Sequence, residues 1–375
     1  MLIAAFIPVT RLLGMVLRRH HGIDKAPGQI LFIKLMGLGS LVVASDAVKA
    51  MQQRYPATKF ILLTEENIAA GIQPFGIFDE LWTVDTGRMG LNALRFLYRL
   101  WRMKELWVVD MEVYSKLTTV YSLMTMARNR FGFYLQPVFF RRYLNTHNVL
   151  FDRSEYLEDS YWKMAEAVTG ARLRPLMVAP VRRGEIHKPY VLINNTCSNL
   201  ALSRRLPEET VEALCAWIEQ YTSYGIAFLG MEKDRADIDR FIAGRERMVN
   251  MAGVLDFESY YTFMKEQGVC LVSIDSGPLH MARKLGLPTV SVWGPTRPGN
   301  YLKVKEGEEQ RHLFLYLGKG CSPCVHYNER LPCWGNNHCM QDVAAEDVIG
   351  KLRELLGYLR ENESNLTGYL STRNV

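Results

Sequence analysis

The chain is notable first for what it lacks. It has no low-complexity segment and no short internal repeat, which sets aside disordered and solenoid architectures. Cysteine is sparse: seven in 375 residues do not build a secreted disulfide scaffold. Charge is nearly balanced, at +6, and no RNA- or DNA-binding signature accompanies it, so there is no case for a nucleic-acid partner. The amino terminus has neither a basic start nor a clear small-residue cleavage site, so it does not read as a signal peptide. Its apolar run is interrupted by Pro8 and Arg11, which makes it a poor spanning helix.

What is present points to a large globular protein. The length suffices for two domains of ordinary size. A composition 48% hydrophobic and 22% charged is that of a chain with a substantial core. The first residues, MLIAAFIPVTRLLGMVLRRHHG, are mostly apolar and end on Arg18, Arg19, His20 and His21. Residues 1–22 therefore read as a helix lying in a membrane interface, its basic end near anionic headgroups. The alternative is a terminal helix packed on the protein's own surface. Two basic pairs, Arg141-Arg142 and Arg182-Arg183, could share a membrane-facing side, though each alone reads as solvated.

The first half alternates strand and helix. QILFIKL (29–35), KFILLT (59–64), LWTVD (81–85) and LWVVDM (106–111) read as buried strands. Helical spacing falls at 41–55, near 89–103 and at 115–128. Such alternation predicts a parallel sheet covered on both faces. Residues 134–188 break the pattern, and RPLMVAPVRRGEIHKP reads as an interdomain linker. A second α/β run follows, with strands at 190–195, 226–230, 270–275 and 289–294 and a last amphipathic helix at 344–361. The expected organisation is a first doubly wound domain over 23–185 and a second over 186–375. Their sheets would face a central cleft, where ligands of such folds bind at the carboxyl ends of the strands.

The densest signal is VSIDSGPLHMARKLGLPTVSVWGPT, residues 272–296. A β-branched run ends at Asp275. Ser276 and Gly277 turn the chain, Pro278 can open a helix and Gly286 can close it. A helix amino terminus at the carboxyl edge of a sheet suits a phosphate, because its N–H groups and dipole favour an anion. An ordinary α/β connection would look similar, but Asp275, Ser276 and His280 tilt the reading towards a site.

Four segments together resemble glycosyltransferase family 9, the ADP-heptose:lipopolysaccharide heptosyltransferase family, over residues 29 to 350. They are ILFIKLMGLGSLVVASDAVKAMQQRYP, VLINNTCSNLALSRRLPEE, DSGPLHMARKLGLPTVSVWGPT and CSPCVHYNERLPCWGNNHCM. The resemblance implies a GT-B fold of two Rossmann-like domains. It also implies an inverting, metal-independent transferase that moves a sugar from a nucleotide diphosphate to a lipid-linked saccharide. Such an enzyme is expected on the cytoplasmic side of the bacterial inner membrane, as a peripheral protein. The donor would lie in the second domain. There Arg204 and Arg205 match the family's phosphate-binding basic position, and Glu232 matches a position that holds the ribose hydroxyls. Thr196, Ser198, Asp275, Ser276, Gly277 and His280 complete the expected donor group. On the acceptor side the candidates are Gly39, Ser40, Tyr114, Ser115, Lys116 and Arg128.

One departure matters. The family's first glycine turn usually ends Gly-Asp, and that Asp is read as the general base; here the turn is Gly39-Ser40. An unassisted serine cannot take a proton at neutral pH. Asp110 and Glu112 are the expected substitutes. They lie two apart and would share a face of an extended strand. Asp46, inside a helix, reads as solvated. A non-catalytic, glycolipid-binding or scaffolding member and a GT-B sugar epimerase remain as other readings. Cys321, Cys324, Cys333 and Cys339 are separated by two, eight and five residues. The first pair resembles a zinc knuckle, but reduced thiols packing a loop are favoured over a structural zinc. Cys197, Cys215 and Cys270 read as core residues.

Deleting residues 1–22 is expected to shift the protein from the vesicle-bound towards the soluble fraction without unfolding it. Unchanged vesicle binding by the truncated chain counts against an interfacial helix.

Overall fold

The structure is a computed structural model that describes residues 21–84, 98–173, 189–197, 203–325 and 331–362, together with Pro8, Leu12 and Val16. Contacts divide the chain into two compact units, Met1–Val178 and Ala179–Val375. The expected linker lies almost wholly outside the described residues.

The first unit holds β1 (Gln29–Ile33), β2 (Lys59–Thr64), β3 (Glu80–Thr83), β4 (Leu106–Asp110), β5 (Asn129–Tyr134) and β6 (His147–Leu150). They form one parallel sheet in the order β3-β2-β1-β4-β5-β6. The second unit holds β7 (Tyr190–Asn194), β8 (Gly225–Phe228), β9 (Met248–Asn250), β10 (Gly268–Ile274), β11 (Thr289–Trp293) and β12 (His312–Tyr316). Its order, β12-β11-β10-β7-β8-β9, repeats the first when strands are counted from β7. Both are the doubly wound order of dinucleotide-binding folds. In each, the chain reverses direction across the sheet between its first and fourth strands, β1 and β4 or β7 and β10. Loops leaving those neighbours splay apart and open a crevice at the carboxyl edge.

The central strands are apolar on both faces because helices cover both sides. Ile30 to Ile33 and Val269 to Leu271 are fully buried. In the second unit, helices Glu208–Tyr221 and Ala345–Asn362 supply Leu214, Ile218, Leu352 and Leu355 to the same core. The last of these helices was legible from its amphipathic pattern.

Three expectations need correction. The described part of residues 134–188 does not break the first sheet: the end of β5, β6 and helix Leu157–Thr169 continue it. β6 and β9 are edge strands of four and three residues, each with one buried side chain, so their apolar signal is weak. β12, also at an edge, was missed for the same reason. The helix expected over 115–128 ends at Met124, where Met126 takes a left-handed φ of 56° and turns the chain into β5. The helix expected near 89–103 lies mostly outside the described residues. Among the described residues, no helix is long and apolar enough to cross a membrane.

Candidate functional site

In the second unit the chain leaves β10 through Asp275 and Ser276 into helix Gly277–Lys284. Pro278 sits in the first turn, where its missing N–H costs nothing. Gly286, at φ 70°, follows the helix. Ser276 precedes the helix in an extended conformation, but its hydroxyl does not cap it. The hydroxyl is held instead by Asn194 Nδ2 at 2.9 Å and lies 3.1 Å from Ser273 Oγ. The first N–H groups of the helix thus face the carboxyl edge without a side-chain cap, and they carry the positive end of its dipole.

Asp275 is buried and points inward. Its Oδ2 accepts from Thr296 Oγ1 at 2.7 Å and lies 3.4 Å from Arg204 Nη1; His280 Nε2 stands 3.7 Å from Oδ1. Arg204 Nη1 also donates to the Asp275 carbonyl at 3.2 Å. Burial alone would raise this carboxyl, but Arg204, His280 and Thr296 outweigh it and hold it at about 2. Such an anion cannot itself receive a phosphate. Asp275 is therefore removed from the expected donor contacts and becomes the anchor that orients Arg204 and His280. The other ring nitrogen of His280, Nδ1, is buried with no partner among the described residues.

The remaining donor candidates group around the same edge. Arg205 Nη2 pairs with Asp234 Oδ1 at 3.0 Å, and Asp234 Oδ2 accepts from the Met231 N–H. This ties Arg205 to the loop that carries Glu232, which is exposed. Glu232 packs on Gly253: a Cβ there would stand 1.9 Å from Glu232 Oε2, and the φ of 66° also favours glycine. Thr196 Oγ1 donates to Asn194 Oδ1 at 3.0 Å. Ser198 lies outside the described residues. Asn194 itself was missed by sequence reasoning, although it gathers Thr196, Ser273 and Ser276. Its signal was a polar Asn-Asn pair closing the apolar strand YVLINN.

The first unit builds a different edge. After β1 the chain runs through Lys34, Leu35 and Met36 to Gly37, at φ 84°, and into helix Leu38–Arg54. Ser40 Oγ donates to the Gly37 carbonyl at 2.7 Å, and Gly39 is buried in the helix. Glu112 braces this turn. Its Oε1 accepts the N–H groups of Leu35 and Met36 at 2.9 and 3.0 Å, and its Oε2 meets Lys34 Nζ at 3.0 Å. Lys34 is buried and was overlooked; a lone lysine closing the apolar run QILFIKL was the available signal.

Asp110 and Glu112 do not share an extended strand, because β4 ends at Asp110. The Asp110 side chain is wholly buried. Oδ2 meets Arg141 Nη2 at 3.1 Å and accepts from Thr118 Oγ1 at 3.0 Å, while Oδ1 accepts the Glu112 N–H at 3.0 Å. Burial raises this carboxyl to about 6 despite Arg141. Sealed from solvent, Asp110 has no path to a substrate hydroxyl and is withdrawn as a base. Arg141 is equally buried and donates to the carbonyls of Glu112 and Ser115. It is therefore no part of a membrane-facing pair; Arg182 and Arg183 lie outside the described residues.

Ser115 caps helix Lys116–Met124 by accepting the Thr118 N–H. Lys116 is exposed, and Tyr114 carries the Arg153 guanidinium 5.3 Å from its ring centroid. Arg128 does not join them. It precedes β5 and lies at the opposite, amino edge of the sheet. Asp46 is half-buried within its helix.

A family model for glycosyltransferase family 9 (heptosyltransferase) matches residues 144–335, about half of the chain. The chain belongs to this family. It is 23% identical over 113 residues to lipooligosaccharide heptosyltransferase 2 of Campylobacter jejuni, a match covering 30% of this chain and 34% of that protein. The chain thus spans about a third of the curated relatives it matches. Among solved structures, E. coli ADP-heptose lipopolysaccharide heptosyltransferase II is 17% identical. It superposes with a TM-score of 0.65 over 88% of this chain and 99% of its own. The E. coli heptosyltransferase WaaC with ADP-2-deoxy-2-fluoro heptose is 15% identical, with a TM-score of 0.61 over 86% and 99% of the two chains. At these identities the likeness speaks for the shared GT-B fold.

The cysteine segment of this family member packs beneath the Gly294–Thr296 loop. The Cys324 and Val325 N–H groups donate to the Pro295 carbonyl, and a Cβ on Gly294 would stand 2.9 Å from Cys339 Sγ. Burial pushes the Cys324 thiol up and the Cys339 thiol to about 11. All four cysteines are unbridged. Among the described residues no group of three or more His, Cys, Asp or Glu side chains is placed to hold a metal ion. Cys215 and Cys270 are core residues, whereas Cys197 is half-buried beside Arg205.

Asp275 has a lower pKa in the folded chain than its ordinary value, so its stabilisation is complete above about pH 4 and lost as pH falls through about 2. The contribution is on the order of 2 kcal/mol. Denaturant titrations of the parent and Asp275→Asn between about pH 5 and pH 2 should show the parent losing that amount more than the variant. Parallel pH profiles would remove Asp275 as an ionised anchor.

Proposed function

We propose that the protein is an inverting, metal-independent glycosyltransferase. It moves a heptose-like sugar from a nucleotide-diphosphate donor to a lipid-linked saccharide, in lipopolysaccharide or envelope polysaccharide synthesis. The observation that carries this reading is the turn after β10, where an uncapped helix amino terminus stands beside Arg204 and His280, both oriented by buried Asp275. A departing diphosphate gains charge as the sugar leaves, and donors fixed in advance stabilise that charge without reorganising. Family membership supports the same reading. So do the names of similar proteins, among them a lipooligosaccharide heptosyltransferase and an enzyme complexed with an ADP-linked fluoro-heptose.

On the donor side Arg204, Arg205, His280 and the helix turn at Ser276-Gly277 would hold the phosphates, with Thr196 and Ser198 near them and Glu232 on the ribose. On the acceptor side Tyr114, Ser115, Lys116 and the Gly39-Ser40 turn are the candidates. The protein would work as a peripheral protein on the cytoplasmic face of the bacterial inner membrane, held in part by residues 1–22.

Glu112 is the proposed base. It adjoins the glycine turn in which Ser40 stands, and its side chain keeps 10% exposure where Asp110 has none. It would take the proton of the acceptor hydroxyl as that oxygen attacks the anomeric carbon and the diphosphate departs from the opposite face. A non-catalytic reading has one observation in its favour: both Glu112 oxygens are already engaged, by two N–H groups and Lys34.

Two measurements test these assignments. Arg204→Ala with Arg205→Ala removes charge-assisted bonds worth about 1.5–3 kcal/mol each, so nucleoside diphosphate affinity should fall tenfold or more. Parental affinity in the double variant places the phosphates elsewhere. Glu112→Gln keeps the shape and should slow transfer about 10²- to 10⁴-fold while leaving nucleotide affinity within roughly twofold. Transfer at the parental rate rules Glu112 out as base. Absence of any transfer by the parent, across nucleotide sugars and lipid-linked acceptors, favours the non-catalytic reading.

A further inference from the structure

The amino edge of the first sheet carries a surface that the transfer chemistry leaves unused. The segments leading into β1, β4 and β5 surround an open cavity of about 570 Å³, lined in part by Gly22, Lys25, Trp101, Met103, Met126 and Arg128. Trp101 and Met126 line it, and Tyr98 lies one helical turn before Trp101. Trp101 and Met126 are each 57% exposed and Tyr98 is 61% exposed. They are held in place. The Trp101 indole donates to the Met124 carbonyl at 2.8 Å, and the Arg102 guanidinium lies 5.7 Å from the Tyr98 ring centroid. Met126 occupies a left-handed turn position. Clustered and fixed apolar side chains of this size mark interaction surfaces, whereas isolated ones do not.

The frame around them is basic. Lys25 and Arg128 line the cavity together with Glu105, and Arg102 and Lys104 are exposed in the adjoining segment before β4, with Asp24 exposed beside Lys25. The same edge holds His21 and Gly22. Asn129 Nδ2 donates to the Gly22 carbonyl at 3.2 Å, and His21 Nδ1 bonds the Arg128 carbonyl. His21 and Gly22, which directly follow the apolar residues 1–20 with Arg11, Arg18 and Arg19, are thereby fixed at the rim of the cavity. Leu12 and Val16 of that segment are exposed as well.

We propose that this edge is a docking face for an anionic phospholipid bilayer, with Trp101, Tyr98 and Met126 entering the headgroup boundary and the basic frame meeting lipid phosphates. Tryptophan and tyrosine suit such a boundary because each has an apolar body and a polar tip. The face lies at the opposite end of β4 from Asp110 and Glu112, so a docked bilayer leaves the carboxyl edge uncovered. The inference rests on the peripheral placement proposed above. Vesicle binding needs neither donor nor acceptor, so its failure leaves the transfer reading standing.

The test is cosedimentation of the full chain with two vesicle types, phosphatidylcholine alone and an equal mixture of phosphatidylcholine and phosphatidylglycerol. The parent should bind the mixed vesicles far better. A basic residue near an anionic surface is worth about fivefold in affinity, so Arg102→Glu with Lys104→Glu should weaken binding at least tenfold. Trp101→Ser with Met126→Ser should weaken it on both vesicle types. The chain lacking residues 1–20 should bind more weakly than the parent and lose more when the same substitutions are added. Circular dichroism checks each fold; Arg102 and Lys104 are exposed, so the charge pair tests the face even if the apolar pair misfolds. Parental binding by the charge-reversed chain overturns the proposal. So does a truncated chain indifferent to the substitutions. A truncation that lowers the melting temperature as Trp101→Ser does would mean that residues 1–20 fill the cavity themselves. Dimerisation that depends on Trp101 would assign the face to a second copy.

Discussion

An ionisable acid buried at the end of a parallel strand must be paired, and each half of this protein is organised around one. Asp110 closes β4 and Asp275 follows β10, the fourth strands of the two sheets. Each carboxylate meets an arginine and a threonine hydroxyl through the same oxygen: Arg141 and Thr118 in the first unit, Arg204 and Thr296 in the second. Unpaired, either charge would destabilise its unit by several kcal/mol. The pairing therefore helps set the loops that leave the sheet edges, and with them Glu112, Ser115, Arg204 and His280.

The two acids settle differently because their neighbours differ. Burial dominates at Asp110, where Glu112 adds a second negative charge, and the carboxyl rises to about 6. At Asp275 the cations and hydrogen bonds of Arg204, His280 and Thr296 overcome burial, and it falls to about 2. One acid serves as an internal brace. It links Arg141 to the backbone of Glu112 and Ser115, and Glu112 in turn carries the glycine turn on its carboxylate. The other is a fixed anion that holds two cationic or polar groups beside a helix terminus. A phosphate-binding surface needs that kind of support, because an unanchored arginine loses rotamer entropy when it binds.

Several errors of sequence reasoning share one physical origin. Edge strands β6, β9 and β12 bury one face or less, so they show neither a continuous apolar run nor clean alternation. Arg141 read as a surface charge because composition reports charge without reporting burial. Glu112 was expected to share a strand face with Asp110, yet its carboxylate pairs with Lys34, seventy-eight residues earlier, because β1 and β4 are neighbours in the sheet. Arg128 was grouped with Tyr114, Ser115 and Lys116 on the acceptor side. The helix Lys116–Met124 carries the chain from the carboxyl edge back to the amino edge between them, and the grouping failed there.

The sequence by itself determined the alternation of buried strands and amphipathic helices, the doubling of that pattern, and the turn at residues 275–280 with its family resemblance. These are local properties: periodicity, turn residues and helix-start residues act over a few positions. Only the tertiary structure decided which acid is sealed, which lysine or arginine it meets, and which edge of the sheet each loop occupies. Those outcomes follow from strand order, which brings together residues remote in the chain. They also follow from desolvation, which depends on what packs around a group and not on its neighbours in sequence.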